Sequence, residues 1–284
     1  MSDNAGYHLT TRTEKTVRNL FSILLAFYCC IITFLVLITF LSSFKTKSDL
    51  VSNTIGFPKK FTLENYKTLI FEDNFLRYFA NSIILTVMSI ASIVIISSLT
   101  AYGLSRYKFK LSDALQSYFL LGLMFPIQLG ILPLFIMLRN VNLVNNFLGL
   151  VLLYSANMSF PVFIFSVFFK TLPGALYDSA KVDGASEFKI FYKIMLPLTK
   201  PVIVTIALLS TITVWNDFFL PLVFLTKDYM KTVTLGVYRY MSDFLANWHL
   251  VFAATSLSLI PIIIIFVFFS EQVVSGITSG SVKQ

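Results

Sequence analysis

Apolar positions along this chain gather into long unbroken runs separated by short polar connections, without the regular polar interruptions of half-buried soluble helices or strands. A helix that crosses a bilayer needs about 20 apolar positions. Six stretches reach that length, at 20–41, 81–104, 118–138, 147–169, 202–225 and 250–269. The pattern predicts an all-α, polytopic membrane protein with six transmembrane helices. Pro126, Pro133, Pro161, Pro221 and Pro261 lie inside these runs. Membrane helices tolerate proline where neighbouring groups take up the freed carbonyls. Arg12, Lys15 and Arg18 precede the first run like the charged start of a signal peptide. Its length and the lack of a small-residue cleavage site predict an uncleaved anchor instead.

Composition narrows the class. Charged residues make up 13% and hydrophobic residues 56% of the 284 positions, against about 25% charged in a soluble domain. So few charges do not cover a water-facing surface. The formal charge of +8 raises nucleic acid as a partner, but the basic residues are spread over the connections without interleaved aromatics. They read as membrane-flanking charge in contact with lipid, and no nucleic acid is expected. Cys29 and Cys30 are adjacent, a poor geometry for a disulfide, and His8 and His249 stand far apart, so no metal site is expected.

Six spans place both termini on one side together with 105–117 and 170–201, and leave 42–80, 139–146 and 226–249 on the other. Lysine and arginine divide twelve to ten between the sides, with six of the ten in the long loop 42–80. Short loops near the spans carry most weight. The expectation is a multi-pass membrane protein with both termini cytoplasmic. It divides into a cytoplasmic segment 1–19, a membrane domain 20–270 and a cytoplasmic tail 271–284. Trp248, Tyr238 and Tyr240 are placed as interface aromatics at the outer end of the sixth span.

One long polar stretch interrupts the second half: "DSAKVDGASEFKIFYKIMLPLTKP", residues 178–201. With the residues before it, it reads as two helices. Thr171 can cap the first and Pro173 suits its first turn. Leu172, Leu176, Ala180 and Asp183 share one face, and Asp178 sits beside Lys181 on another. Gly184 suits a left-handed end, and Ser186 can cap a second helix in which Phe188, Phe191, Tyr192 and Met195 follow helical spacing. Pro197 and Pro201 are expected to stop it. A first helix of about ten residues is marginal alone in water. It is therefore either held as a docking piece for a cytoplasmic partner, with Ser179 and Ala180 as a smooth patch, or is a solvated loop.

Asp178-Ser179-Ala180, Asp183-Gly184-Ala185, Phe188, Ile194 and Leu196-Pro197 resemble the EAA loop of ABC-importer permeases. "WNDFFLPLVFL" at 215–225, "FTLENYKTLI", "FLRYFANSIILT" and the tail "GITSGSVKQ" are similar to other parts of the carbohydrate permeases, in particular the second permease of maltose and oligosaccharide systems. Asp178 and Ser179 stand where that family usually has Glu and Ala. The resemblance implies the type I importer permease fold and uptake of a carbohydrate by alternating access. It further implies a second homologous permease, two ATPase subunits that bind the ATP and magnesium, and an extracytoplasmic sugar-binding protein. In such a system the loop 170–201 couples to the ATPase. Asp178 would pair with a basic residue there, Gly184 would supply the turn, and Phe188 with Leu196 would anchor the element to the spans.

The remaining chemistry is sparse. Asp217 is the one charged side chain well inside a predicted span. It reads as a proton or cation site of an ion-coupled secondary transporter, as a substrate hydrogen-bonder, or as a structural group. Gln128, Tyr154, Asn157 and Asn216 are, with Asp217, the candidate lining of a sugar pathway, or else glue between helices. There is no Gly-Lys dipeptide and so no P-loop, and no Ser/His/Asp set or carboxylate pair. No catalysis by the chain itself is expected.

Overall fold

The computed structural model describes residues 12–107, 109–241 and 247–279. His8, Lys108, Lys283 and the end of the "GITSGSVKQ" tail lie outside them, as does part of the loop 226–249. The described residues form helices and connecting turns without a strand. In chain order these are α1 (Arg12–Ser43), α2 (Lys47–Ser52), α3 (Glu64–Lys67), α4 (Phe75–Arg106), α5 (Ser112–Gly122), α6 (Ile131–Asn140), α7 (Phe147–Ala156) and α8 (Ser159–Thr171). There follow α9 (Gly174–Val182), α10 (Glu187–Ile190), α11 (Leu196–Leu198), α12 (Lys200–Asn216), α13 (Phe219–Phe224), α14 (Val233–Met241) and α15 (Trp248–Ser279).

Three helices, α1, α4 and α15, are single rods long and apolar enough to cross a membrane. Three further spans are bent pairs, which gives six if each pair crosses once. The third predicted span is broken, with an angle of 94° between 112–122 and 127–140, and the fourth bends by 51° between α7 and α8. The fifth run ends as a helix at Asn216 and restarts as α13.

Proline explains the breaks. Pro133, Pro161 and Pro221 each occupy the third position of α6, α8 and α13, and Pro126 precedes the 3-10 turn Ile127–Gly130. A first-turn N–H has no carbonyl partner within its helix, so proline loses nothing there. These prolines therefore begin helices rather than being tolerated within them. Pro261 alone keeps the expected interior place, in α15. There the Trp215 indole N–H donates to the Ser258 carbonyl (3.1 Å), in the turn that Pro261 disrupts.

The core lies where α4 packs against α7, α8 and α12. Buried Ser89, Ser97 and Ser98 punctuate α4 and let neighbouring backbones approach closely. A second cluster joins the start of α4 to α14 and α15 through Leu69, Phe75, Tyr78, Val233 and Ala254. By contrast, no residue of the most apolar stretch of α1 is buried by the rest of the chain.

Connections at the end of the bundle away from 170–201 are stitched rather than loose. The Asn81 amide donates to the Tyr229 and Lys231 carbonyls (2.9 Å each), and the Ser82 hydroxyl accepts the Val233 N–H (2.9 Å). Lys45 is fully buried, its ammonium donating to the Asn53 and Thr54 carbonyls that end α2. Tyr240 is not an interface aromatic: it is buried, and its hydroxyl donates to Asp73 (2.9 Å). Tyr238 and Trp248 are exposed.

Candidate functional site

The segment 172–199 folds as two helices with a sharp turn. Gly184 has φ +73°. Its N–H donates to the Lys181 carbonyl and the Ala185 N–H to the Ala180 carbonyl, both at 3.0 Å. That pair of bonds is a Schellman ending of α9, which needs a residue free to enter the left-handed region. The Ser186 hydroxyl then accepts the Lys189 N–H (3.4 Å) as the cap of α10. Other local expectations shift. Thr171 does not cap α9; its hydroxyl donates back to the Phe168 carbonyl and closes α8. Pro197 lies inside α11 and Pro201 in the first turn of α12, so the rod 187–198 ends at Thr199, where the axis turns by 76° into α12.

Burial redistributes the named residues. A π turn at Phe191–Met195 carries Phe191 and Met195 inward with Ile190 and leaves Phe188 and Tyr192 exposed, their rings stacked at 6.4 Å. A π turn takes more than four residues, so residues five apart share a face there. Phe188 is 69% exposed and therefore does not anchor the segment within this chain. Leu196 packs partly against the core, and Ala180 faces inward, so of the pair Ser179 and Ala180 only Ser179 is exposed. Asp178 and Asp183 are exposed, and Ala185 is half-buried.

Asp178 and Lys181 do not pair. Asp178 Oδ1 accepts from Arg106 at the end of α4 (3.2 Å), whereas Lys181 Nζ meets Glu187 Oε1 (2.6 Å). Glu187, unnoticed in the sequence, also accepts from the Tyr177 hydroxyl (2.6 Å) and from Tyr102 (3.3 Å). Arg106 lies over the Tyr177 ring, 3.2 Å from its centroid. The Lys181 ammonium, and after it the Tyr177 and Tyr107 hydroxyls, hold the Glu187 carboxyl down to about 2. Lys181 is in turn raised by Glu187.

A cavity of about 630 Å³ opens between α5–α6, α7–α8 and α12. This is within the usual range of ligand pockets. The unwound stretch 123–126, Gln128, Tyr154 and Asn157 line it, together with Ser210 and Thr213 of α12, which the sequence did not single out. No lining residue carries a formal charge. Asn216 and Asp217 are not part of the wall. The Asn216 amide donates to the Ile212 carbonyl of its own helix. Asp217 Oδ1 takes the Phe219 N–H (2.9 Å) and Leu220 N–H (3.4 Å), and Oδ2 takes the Tyr154 hydroxyl (2.7 Å). The Asp217 carboxylate thus caps the restart at α13 and locks it to the cavity wall, and this structural duty occupies both its oxygens.

The family described as "Binding-protein-dependent transport system inner membrane component" matches residues 93–279. The probable starch degradation products transport system permease protein AmyC of Thermoanaerobacterium thermosulfurigenes is 34% identical over 248 residues, covering 87% of this chain and 90% of that protein. The arabinooligosaccharides transport system permease protein AraQ of Halalkalibacterium halodurans is 32% identical over 276 residues, with coverage of 96% and 99%. Among solved structures, a bacterial ABC transporter involved in the import of the acidic polysaccharide alginate has a chain with the same fold. Its TM-score is 0.81 over 92% of this chain and 98% of that one, at 21% identity.

Proposed function

Since this chain belongs to the family of binding-protein-dependent transport system inner membrane components, we propose that it is one of two membrane subunits of an ATP-driven carbohydrate importer, with an oligosaccharide as cargo. Its partners are a second homologous permease, two ATPase subunits carrying ATP and magnesium, and an extracytoplasmic sugar-binding protein. The face bearing 172–199 is cytoplasmic. The chain is the moving wall, not the catalyst.

The observation that carries this reading is the continuity from the turn at Gly184 to the cavity. The rod 187–198 meets α12 at Thr199, and one face of α12 supplies Ile206, Leu209, Ser210 and Thr213 to the cavity. Closure of an ATPase dimer against α9 would swing that rod and, through the 76° elbow, tilt the wall. Hydroxyls and amides among apolar side chains, without a charge, suit the alternating polar and apolar faces of a neutral sugar. Relatives named for starch degradation products and arabinooligosaccharides support the same cargo class.

The test is reconstitution of the complete complex in lipid vesicles. Uptake that requires ATP and the sugar-loaded binding protein is expected, with neutral oligosaccharides stimulating ATP hydrolysis. Gradient-driven uptake by the purified chain alone would refute the reading and restore an ion-coupled transporter.

A further inference from the structure

The Glu187 carboxylate joins its own element to two others. It belongs to α10, and it accepts from Tyr177 and Lys181 of α9 at 2.6 Å each. It also accepts from Tyr102 of α4 at 3.3 Å. Tyr102 is buried, its ring packed against Phe169 of α8 (5.7 Å) and Phe191 (5.2 Å), so it is a fixed point on α4. Two contacts flank this junction: Arg106 lies over Tyr177, and the same guanidinium meets Asp178.

Nine residues before Tyr102, Ile93 of the same helix lines the cavity. At 1.5 Å per residue the two lie about 13 Å apart along one rigid axis. Two routes therefore lead from 172–199 to the cavity. One is covalent, through Thr199 into α12. The other is non-covalent, through the Glu187 carboxylate into α4.

We propose that Glu187 is a positioning residue that fastens the 172–199 segment to α4, so that displacement of the segment moves α4 as well as α12. This rests on the transport reading above and adds to it a second line of transmission. A half-buried carboxylate that served only the first turn of α10 would need no hydroxyl from a helix 85 residues away. Loss of the carboxylate leaves the covalent elbow intact, so the segment still swings, but α4, then held to it by the Arg106 contacts without the carboxylate, follows it less closely. The cavity then opens incompletely for each ATP consumed.

The experiment uses the complete complex in vesicles, with sugar transported per ATP hydrolysed as the readout and co-purification of the ATPase as the control for assembly. Glu187→Ala is expected to assemble and to lower transport per ATP by about tenfold, the scale of coupling changes made by residues along such networks. Glu187→Gln keeps the shape and the acceptor for tyrosine while losing the ionic partner of Lys181, and should fall between. The exchange Lys181→Glu with Glu187→Lys restores the ion pair inside the segment but offers the Tyr102 hydroxyl no carboxylate, so it should assemble while transport per ATP stays low. Wild-type transport per ATP in Glu187→Ala overturns the proposal. So does loss of assembly in both single variants that the exchange fails to repair, which marks a folding role alone. If the wild-type complex shows no ATP-dependent uptake, the transport reading has failed instead, so the two failures are distinguishable.

Discussion

Arg106 sits over the ring of Tyr177, 3.2 Å from its centroid, at the meeting of a membrane rod and a nine-residue helix. A helix that short does not persist alone in water, so this contact and its neighbours are what order it. A partly exposed cation–π contact stabilises by about 0.5–1 kcal/mol, and the exposed Asp178 pair adds at most a similar amount. Arg106→Ala should speed amide exchange over 174–182 by about fivefold while leaving α4 protected, the mark of local opening. Arg106→Lys should recover less than half, because an ammonium neither stacks nor forks. Exchange read by mass spectrometry decides it, and unchanged rates in Arg106→Ala would remove the contact from the account.

Gly184 gives a graded test of the turn. A Cβ there meets nothing within 4 Å, so alanine suffers only from the φ of +73°. That strain is about 1–2 kcal/mol. Gly184→Ala should therefore insert, assemble and transport at a reduced rate. Gly184→Pro forbids the φ and also deletes the N–H given to Lys181. It should leave membrane insertion intact and abolish ATPase association or stimulated turnover. Equal activity in both variants would mean that the turn geometry is irrelevant.

The Glu187–Lys181 pair fixes the pH range of the clasp. Glu187 is held down to about 2 from 4.5 by Lys181, Tyr177 and Tyr107. Its contribution is complete above 4.5 and declines as pH falls towards 2. Lys181 is raised above 10.5, chiefly by Glu187. Its contribution is complete below 10.5 and is lost as pH rises through the higher value. Exchange protection of 177–187, corrected for the intrinsic pH dependence of exchange, should be flat between about pH 5 and 10. A midpoint near neutrality would show that another group governs the segment.

Asp217 separates the two transport classes. Asparagine keeps an oxygen for the Phe219 and Leu220 N–H groups, so Asp217→Asn should retain most ATP-driven uptake. Asp217→Ala removes the cap, at about 0.5–2 kcal/mol, and leaves the Tyr154 hydroxyl unpartnered, at about 1–3 kcal/mol. A clearly lower melting temperature is expected for Asp217→Ala alone. Complete loss of uptake in a folded Asp217→Asn would favour a titrating carboxylate.

The membrane runs were legible because lipid demands length and apolarity and little else. Within them the breaks were not legible, since a proline at the third position of a new helix looks the same in sequence as one that kinks an old helix. Gly184 and Ser186 were readable because helix ends impose local chemistry. Glu187 was not, because Tyr102 lies 85 residues away and no spacing rule joins them. Asn216 and Asp217 stand among the candidate pathway residues as polar groups inside a predicted span, with a structural role open for Asp217, and that role is the one its hydrogen bonds fill. Their partners, a carbonyl of the same helix and the restart at 219, were hidden by the assumption of a continuous span.

The unwound stretch 123–126 has a consequence for how such a protein diverges. Leu123, Met124 and Phe125 border the chamber from a turn, and their side chains are exposed. Exchanging an exposed side chain leaves no packing hole behind. A lineage could thus retune its diet by resizing these three residues, while the helices that frame them stay as they are.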